Sequence, residues 1–233
     1  MTPNDILKEM FNLQQQLNDD TNGKGWESGY NAHGKLINWK RCIHMECGEL
    51  IDSFAWKHWK HISKPVDWEN VRVELVDIWH FIMSLLLERY HNEKKGDIDQ
   101  LVEDVINTQD FNEFCKEAYN PEGFDDLEII NEIESIIHGC TGFKLELFDG
   151  LLREYFHLAI KCGVNLKTLY RYYIAKNVLN RFRQDHGYKE GEYKKEWNGI
   201  EDNVIMLELL DENTPTVDTL YERLSERYKA SSS

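Results

Sequence analysis

Apolar residues recur at intervals of three and four along almost the whole chain, while the two-residue alternation of a half-buried strand is nearly absent. Only 4 prolines interrupt 233 residues. Such a chain has to bury stripes of helix against other helices, so the sequence predicts an all-α bundle. The first helix is predicted from Asn4 to Asn18, with Ile6, Leu7, Met10, Phe11, Leu13 and Leu17 on one side. "DDTNGKGWESGYNAHGK" is too polar and glycine-rich to continue it. A second helix carrying "RCIHMECGELIDSFAWKHW" is expected to end before "SKP", because Pro65 disfavours helical geometry at Lys64. Asp67 can cap a third over 68–91. Weaker amphipathic segments follow near 98–118, 126–140 and 145–162, and Asn165 can cap a helix to Asp185. "HGYKEGEYKKEWNGIEDN" reads as a basic loop, and Thr214 with Pro215 marks the cap and first turn of a last helix. With 41% hydrophobic residues, one domain over 1–233 is expected, with residues 93–160 available as a smaller mobile lobe within it.

A net charge of -15 argues against nucleic-acid and anionic-membrane partners, so any phosphate site has to be local. The most apolar window, 71–87, is broken by Arg72, Glu74, Asp77 and His80 and is no membrane span. "MTPNDILKEM" lacks the pattern of a secretory signal. The 5 cysteines contain no CxxC pair and suit reduced thiols. These features together predict a soluble cytoplasmic protein.

Two acids sit among large apolar side chains of the second helix. On a helical wheel Met45, Trp56, Glu49, Cys42, Ser53, Glu46, Leu50, Ile43, Phe54 and Cys47 fill an arc of roughly 200°, opposite Lys40, Arg41, His44, Gly48 and Asp52. The third helix is apolar nearly all round and leaves a polar stripe of Glu74, Asp77, His80, Ser84 and Glu88. Glu46 and Glu49, like Glu74 and Asp77, are three apart and so project one turn apart from one stripe. A short connection makes the two helices antiparallel neighbours, bringing ExxE to face ExxD. Four converging carboxylates repel one another unless cations neutralise them. All-oxygen ligands suit Mg²⁺ or Mn²⁺ rather than zinc or copper. The alternatives are pairing with Lys or Arg, a solvated groove, or a di-iron carboxylate bundle. That bundle wants Glu-x-x-His on two helices, which only Asp77 to His80 approaches.

An acidic metal site predicts an anionic substrate and cations elsewhere in the chain. Tyr172, Lys176, Asn180 and Arg183 share one stripe, followed by Tyr188, Lys189, Tyr193, Lys194 and Lys195 among glycines. Arg183 can fork onto phosphate oxygens, Lys176 can act as a point charge, and the loop has a lid's composition. The alternative is a solvated basic face. On the first helix, Gln14 and Asn18 place two amides at i and i+4, able to read a base edge, the alternative being a pair of amides solvated on an exposed face. Gly23, Gly25 and Gly29 open no βαβ unit, and there is no P-loop, HD dipeptide or placeable Ser, His and Asp arrangement.

"ECGELIDSFAWKHWK", "ELVDIWHFIMS" and "YIAKNVLNRFRQDHGYKEG" followed by "WNGIEDN" resemble the motifs of the dimeric all-α dUTPases of trypanosomatids and Campylobacter-type bacteria. These are relatives of the all-α NTP pyrophosphohydrolases. The resemblance runs from "LQQQLND" to "EDN" and is weakest over 93–160. It implies a homodimer that hydrolyses dUTP and dUDP to dUMP with Mg²⁺, water attacking the β-phosphorus. It further implies that Glu46, Glu49, Glu74 and Asp77 hold metal, with Glu49, or else Glu46, orienting and deprotonating the water. Gln14, Asn18, Trp56, His80 and Asn180 would form the uracil and deoxyribose pocket, with Phe81 near the sugar. Lys176, Arg183, Tyr188 and Lys189 would bind phosphates, and Asp202 and Asn203 would close the site. The alternatives are a dCTP or broad-specificity NTP pyrophosphohydrolase on the same fold, a di-iron oxidase, or a non-enzymatic helical interaction module.

Overall fold

The computed structural model describes residues 1–60, 65–116, 118–142, 145–210 and 217–231. Helix α1 (Pro3–Asn22) starts with a capping box, in which the Thr2 hydroxyl accepts from the Asp5 N–H and the Asp5 carboxylate accepts from the Thr2 N–H. It runs a turn past the predicted end, because the polar residues there have partners. Asp19 Oδ1 accepts from Gln15 Nε2 at 3.2 Å and from the Trp26 indole at 3.1 Å. Gly23 then ends it at φ +87°, where an added Cβ would lie 2.8 Å from that of Ala32, so only glycine fits.

Helix α2 (Trp39–Asp52) is capped by Asn38, whose side chain accepts from the Arg41 N–H at 3.0 Å. It stops well short of "SKP". Asp52 binds the Trp56 indole and the Lys57 ammonium, each at 2.8 Å, a local network that competes with helix continuation. Phe54 turns back inward, edge-on to Trp68 at 6.0 Å. Lys64, where the end was expected, lies outside the described residues. The buried stripe is Trp39, Ile43, Cys47, Leu50 and Phe54, narrower than the predicted arc. Relative to its middle, Glu46 sits about 60° away and Glu49 about 120° away at 100° per residue. Met45 and Glu49 are accordingly exposed.

Helix α3 (Trp68–Glu93) follows the expectation, with the Asp67 carboxylate accepting from the Asn70 N–H at 3.1 Å. It is the hub of the bundle, packed against α1 and α2, with most of its side chains buried. The predicted 98–118 segment divides into α4 (Ile98–Ile106) and α5 (Gln109–Phe114), because the Thr108 hydroxyl closes the first on Val105 O and caps the second at Phe111. Next come α6 (Asp126–Thr141), a π turn at Leu147–Leu152, α7 (Arg153–Lys161) and α8 (Leu166–Asp185). Asn165 caps α8 as predicted, accepting from the Thr168 N–H at 3.1 Å. Trp79 anchors the core, stacked on Tyr155 at 5.2 Å, and the Tyr155 hydroxyl donates to Leu75 O at 2.9 Å.

The chain divides into two compact units, Met1–Tyr170 and Arg171–Ser233, and residues 93–160 belong to the first. Within it α4 packs on α1 and α6 packs on α2. The second holds the rest of α8, a hairpin of β1 (Glu196–Trp197) and β2 (Ile200–Glu201), then α9 (Asp202–Leu209) and α10 (Val217–Ser231). The predicted loop therefore contains structure. Asn198 (φ +54°) and Gly199 (φ +80°) form the left-handed pair that a tight hairpin needs. Phe182 gathers His186, Tyr193, Trp197, Tyr221 and Tyr228 around it. Thr214 and Pro215 lie outside the described residues. No helix among those residues is long and apolar enough to cross a membrane.

None of the five cysteines is in a disulfide. Burial pushes the Cys140 thiol up to about 11 and Cys162 to about 12, and lifts Cys47 further. A raised thiol pKa means a neutral, unreactive sulfur at pH 8, with a thiolate fraction of about 10⁻³ or less. Iodoacetamide at pH 8 is therefore expected to label the partly exposed Cys42 and Cys115 slowly and to reach Cys47, Cys140 and Cys162 only after unfolding. Peptide mass mapping checks the order.

Candidate functional site

Helix α3 presents Glu74 and Asp77 one turn apart, and α2 presents Glu46 from the edge of its buried stripe. One carboxylate oxygen of each lies within 4.8 Å of the others. Glu74 is buried, and Glu46 and Asp77 are half-buried. Two unit charges this close repel by about 3 kcal/mol at the effective dielectric of a protein surface. The three oxygens match a hard divalent cation. Two ligands on opposite sides of one Mg²⁺ stand about 4.2 Å apart, so small side-chain adjustments suffice. Glu49 stands one turn along from Glu46, exposed and outside this cluster of three.

A second group lies further along the same stripe of α3. His80 and Ser84 meet Gln14 and Asn18 of α1, all four at most 4% exposed. His80 Nδ1 lies 2.6 Å from Gln14 Oε1, and Gln14 Nε2 donates to Asn18 Oδ1 at 3.2 Å and to Ser84 Oγ at 3.0 Å. Asn18 Nδ2 also donates to Ser84 Oγ at 3.0 Å. The predicted amide pair is thus a buried network rather than a solvated surface. Phe81 stacks on Trp39 at 6.0 Å. Trp56 lies beyond the end of α2, off the stripe of Glu49, 41% exposed and edge-on to Trp59 at 5.4 Å.

In the second unit, Lys176 and Arg183 are 4% and 8% exposed, which removes the reading of a solvated basic face for these two. Lys176 Nζ donates to Asn203 Oδ1 at 3.0 Å. Arg183 forks onto the fully buried Asp202 through Nε and Nη2, both at 2.8 Å, and reaches Asn180 Oδ1 at 3.3 Å. Tyr193 donates its hydroxyl to Asp202 Oδ2 at 2.8 Å, its phenol pushed up first by burial and then by the Asp202 charge. Tyr188, under the Lys195 ammonium, and Lys189 are exposed. The reading of residue types alone gave no role to Ser84, although its place four residues after His80 on the polar stripe was visible. Tyr193 was noted for composition and missed as the partner of Asp202.

Fold and site define an all-α protein whose central helices carry an acidic cluster suited to a divalent cation. The family whose model matches the chain is dUTPase, over residues 6–188. The chain belongs to the dUTPase family, and it is a dUTP diphosphatase. No curated protein matches it.

Proposed function

We propose that the chain hydrolyses dUTP, and also dUDP, to dUMP with Mg²⁺, as a cytoplasmic homodimer that disfavours dCTP and dTTP. The observation that carries this reading is the convergence of Glu46, Glu74 and Asp77 in a chain of the dUTPase family. A divalent ion supplies Lewis acidity and offsets phosphate charge when bound. Glu46, Glu74 and Asp77 would hold it, with Glu49 as the fourth ligand. Glu49 also takes a proton from the attacking water, and its exposure suits a group that has to pass that proton on to solvent. Water attacks the β-phosphorus, the bond from the α-phosphate oxygen to that phosphorus breaks, and dUMP departs. Pyrophosphate is the other product from dUTP, and phosphate from dUDP.

Gln14, Asn18 and His80 would read the base, with Trp56, Phe81 and Asn180 around the base and sugar. Lys176, Tyr188 and Lys189 would take phosphate oxygens. Arg183 already answers Asp202, so its share is geometric more than ionic, and Asn203 is tied to Lys176. Asp202 and Asn203 would complete the site.

A panel of dUTP, dUDP, dCTP and dTTP, run with Mg²⁺ and with chelator, tests substrate and metal together. Mg²⁺-dependent dUMP release from the two uridine nucleotides is expected, with ¹⁸O from labelled water entering pyrophosphate. Faster turnover of dCTP, undiminished rates in chelator, or label in dUMP would each sink the part it addresses.

A further inference from the structure

We propose that Ser84 is a positioning residue that orients the Gln14 and Asn18 amides and, through Gln14, fixes the proton of His80 on Nδ1. The Ser84 hydroxyl donates to His80 O, four residues back along α3, at 2.8 Å. Its other approach to an acceptor, Asn18 Oδ1, is longer at 3.4 Å. With its proton committed inside the helix, Ser84 Oγ turns only lone pairs toward α1. Gln14 Nε2 and Asn18 Nδ2 both meet them at 3.0 Å. Rotating either amide by half a turn would set oxygen against oxygen at Ser84, so the two amino groups are held there.

This settles the other end of Gln14. Its Oε1 faces His80 Nδ1 at 2.6 Å, and a carbonyl oxygen only accepts. Nδ1 therefore carries the hydrogen, and in the neutral imidazole Nε2 is the acceptor. Ser84 is completely buried and so acts through these side chains alone.

The consequence for selectivity rests on the proposed reading of this network as the base pocket. Uracil has an N–H at ring position 3, whereas cytosine has a lone pair there. An acceptor nitrogen held at His80 pairs with the first and repels the second, so Ser84 enforces the choice without touching the base.

Long-range ¹H–¹⁵N spectra of the full-length protein report the histidine tautomers, with the His80 signals assigned by their loss in His80→Gln. The wild type is expected to show a protonated Nδ1 and a bare Nε2. Ser84→Ala should lose that pattern and lower the dUTP-to-dCTP ratio of kcat/KM about tenfold, chiefly through KM, while Ser84→Thr restores both. Gln14→Met, made on α1, should change the tautomer in the same way if Ser84→Ala does not fold. A wild-type His80 protonated on Nε2 overturns the proposal. So does an unchanged His80 spectrum in a folded Ser84→Ala or Gln14→Met protein. The spectra need no turnover, so a failed substrate assignment would leave the tautomer result standing.

Discussion

Glu74→Gln is expected to lower Mg²⁺-dependent dUTP turnover by about 10³-fold while leaving the metal-free protein as stable as before, or more so. Glu74 is the most buried of the three clustered acids. Neutralising it removes one of three negative charges that stand within 4.8 Å of one another and so relieves their mutual repulsion. The cost then falls on metal affinity. A ligand at 100 times its Kd stabilises a folded chain by about 2.7 kcal/mol. For a protein of this size that amounts to about 5–10 °C in Tm. The wild type should show that rise with Mg²⁺ by scanning fluorimetry, and Glu74→Gln should lose it. Glu49→Gln separates the two roles given to Glu49. It should keep part of the Mg²⁺-induced rise, because the converging cluster of Glu46, Glu74 and Asp77 stays intact, and still lose nearly all turnover, because the water loses its base. Full turnover in Glu74→Gln would remove the cluster from the mechanism. Full turnover in Glu49→Gln would move the base to Glu46.

The helical fold was legible because burial stripes and caps are local signals. Asp67 and Asn165 cap the helices they were expected to cap, and α3 reads as central from its apolar circumference alone. The errors arise where a side chain's partner is distant in sequence or where a stop is not written by proline or glycine. Nothing in residues 53–60 announces that Asp52 will capture Trp56 and Lys57 and end α2. The wheel counted Met45 and Trp56 as buried and so widened the apolar arc until it included Glu49, whereas both are exposed and the real stripe passes Glu46 at its margin and leaves Glu49 in solvent. Three of the four acids could be placed together because i, i+3 spacing on α3 fixes two of them and helix adjacency brings the third. Helix α9 was hidden differently. Its first residue, Asp202, was read as loop, although Asn198 and Gly199 just before it carry a hairpin signal. That Asp202 would be buried against Arg183 is a tertiary fact without a local signature.

That buried pair is where the second unit should be most fragile. Asp202 Oδ1 and Oδ2 take both arms of the Arg183 fork, and Oδ2 also takes the Tyr193 hydroxyl. As the first residue of α9 the carboxylate also faces the positive end of the helix dipole. Removing one partner breaks a desolvated, charge-paired fork, a loss of about 3–5 kcal/mol. Arg183→Met and Asp202→Asn should each open the unit by that amount, seen as faster amide hydrogen exchange in α9, the hairpin and the end of α8. The amides of α1 and α3, in the other unit, should exchange as before. The double substitution is the sharper test. With neither charge present and an amide oxygen still accepting from Tyr193, it should be no less stable than the worse single variant, whereas independent contributions would add. Single variants that exchange like the wild type would mean that the aromatic cluster around Phe182 holds the unit without the ion pair. Arg183 would then be available to phosphate as a charge, and substituting it should raise KM for dUTP without loosening the fold.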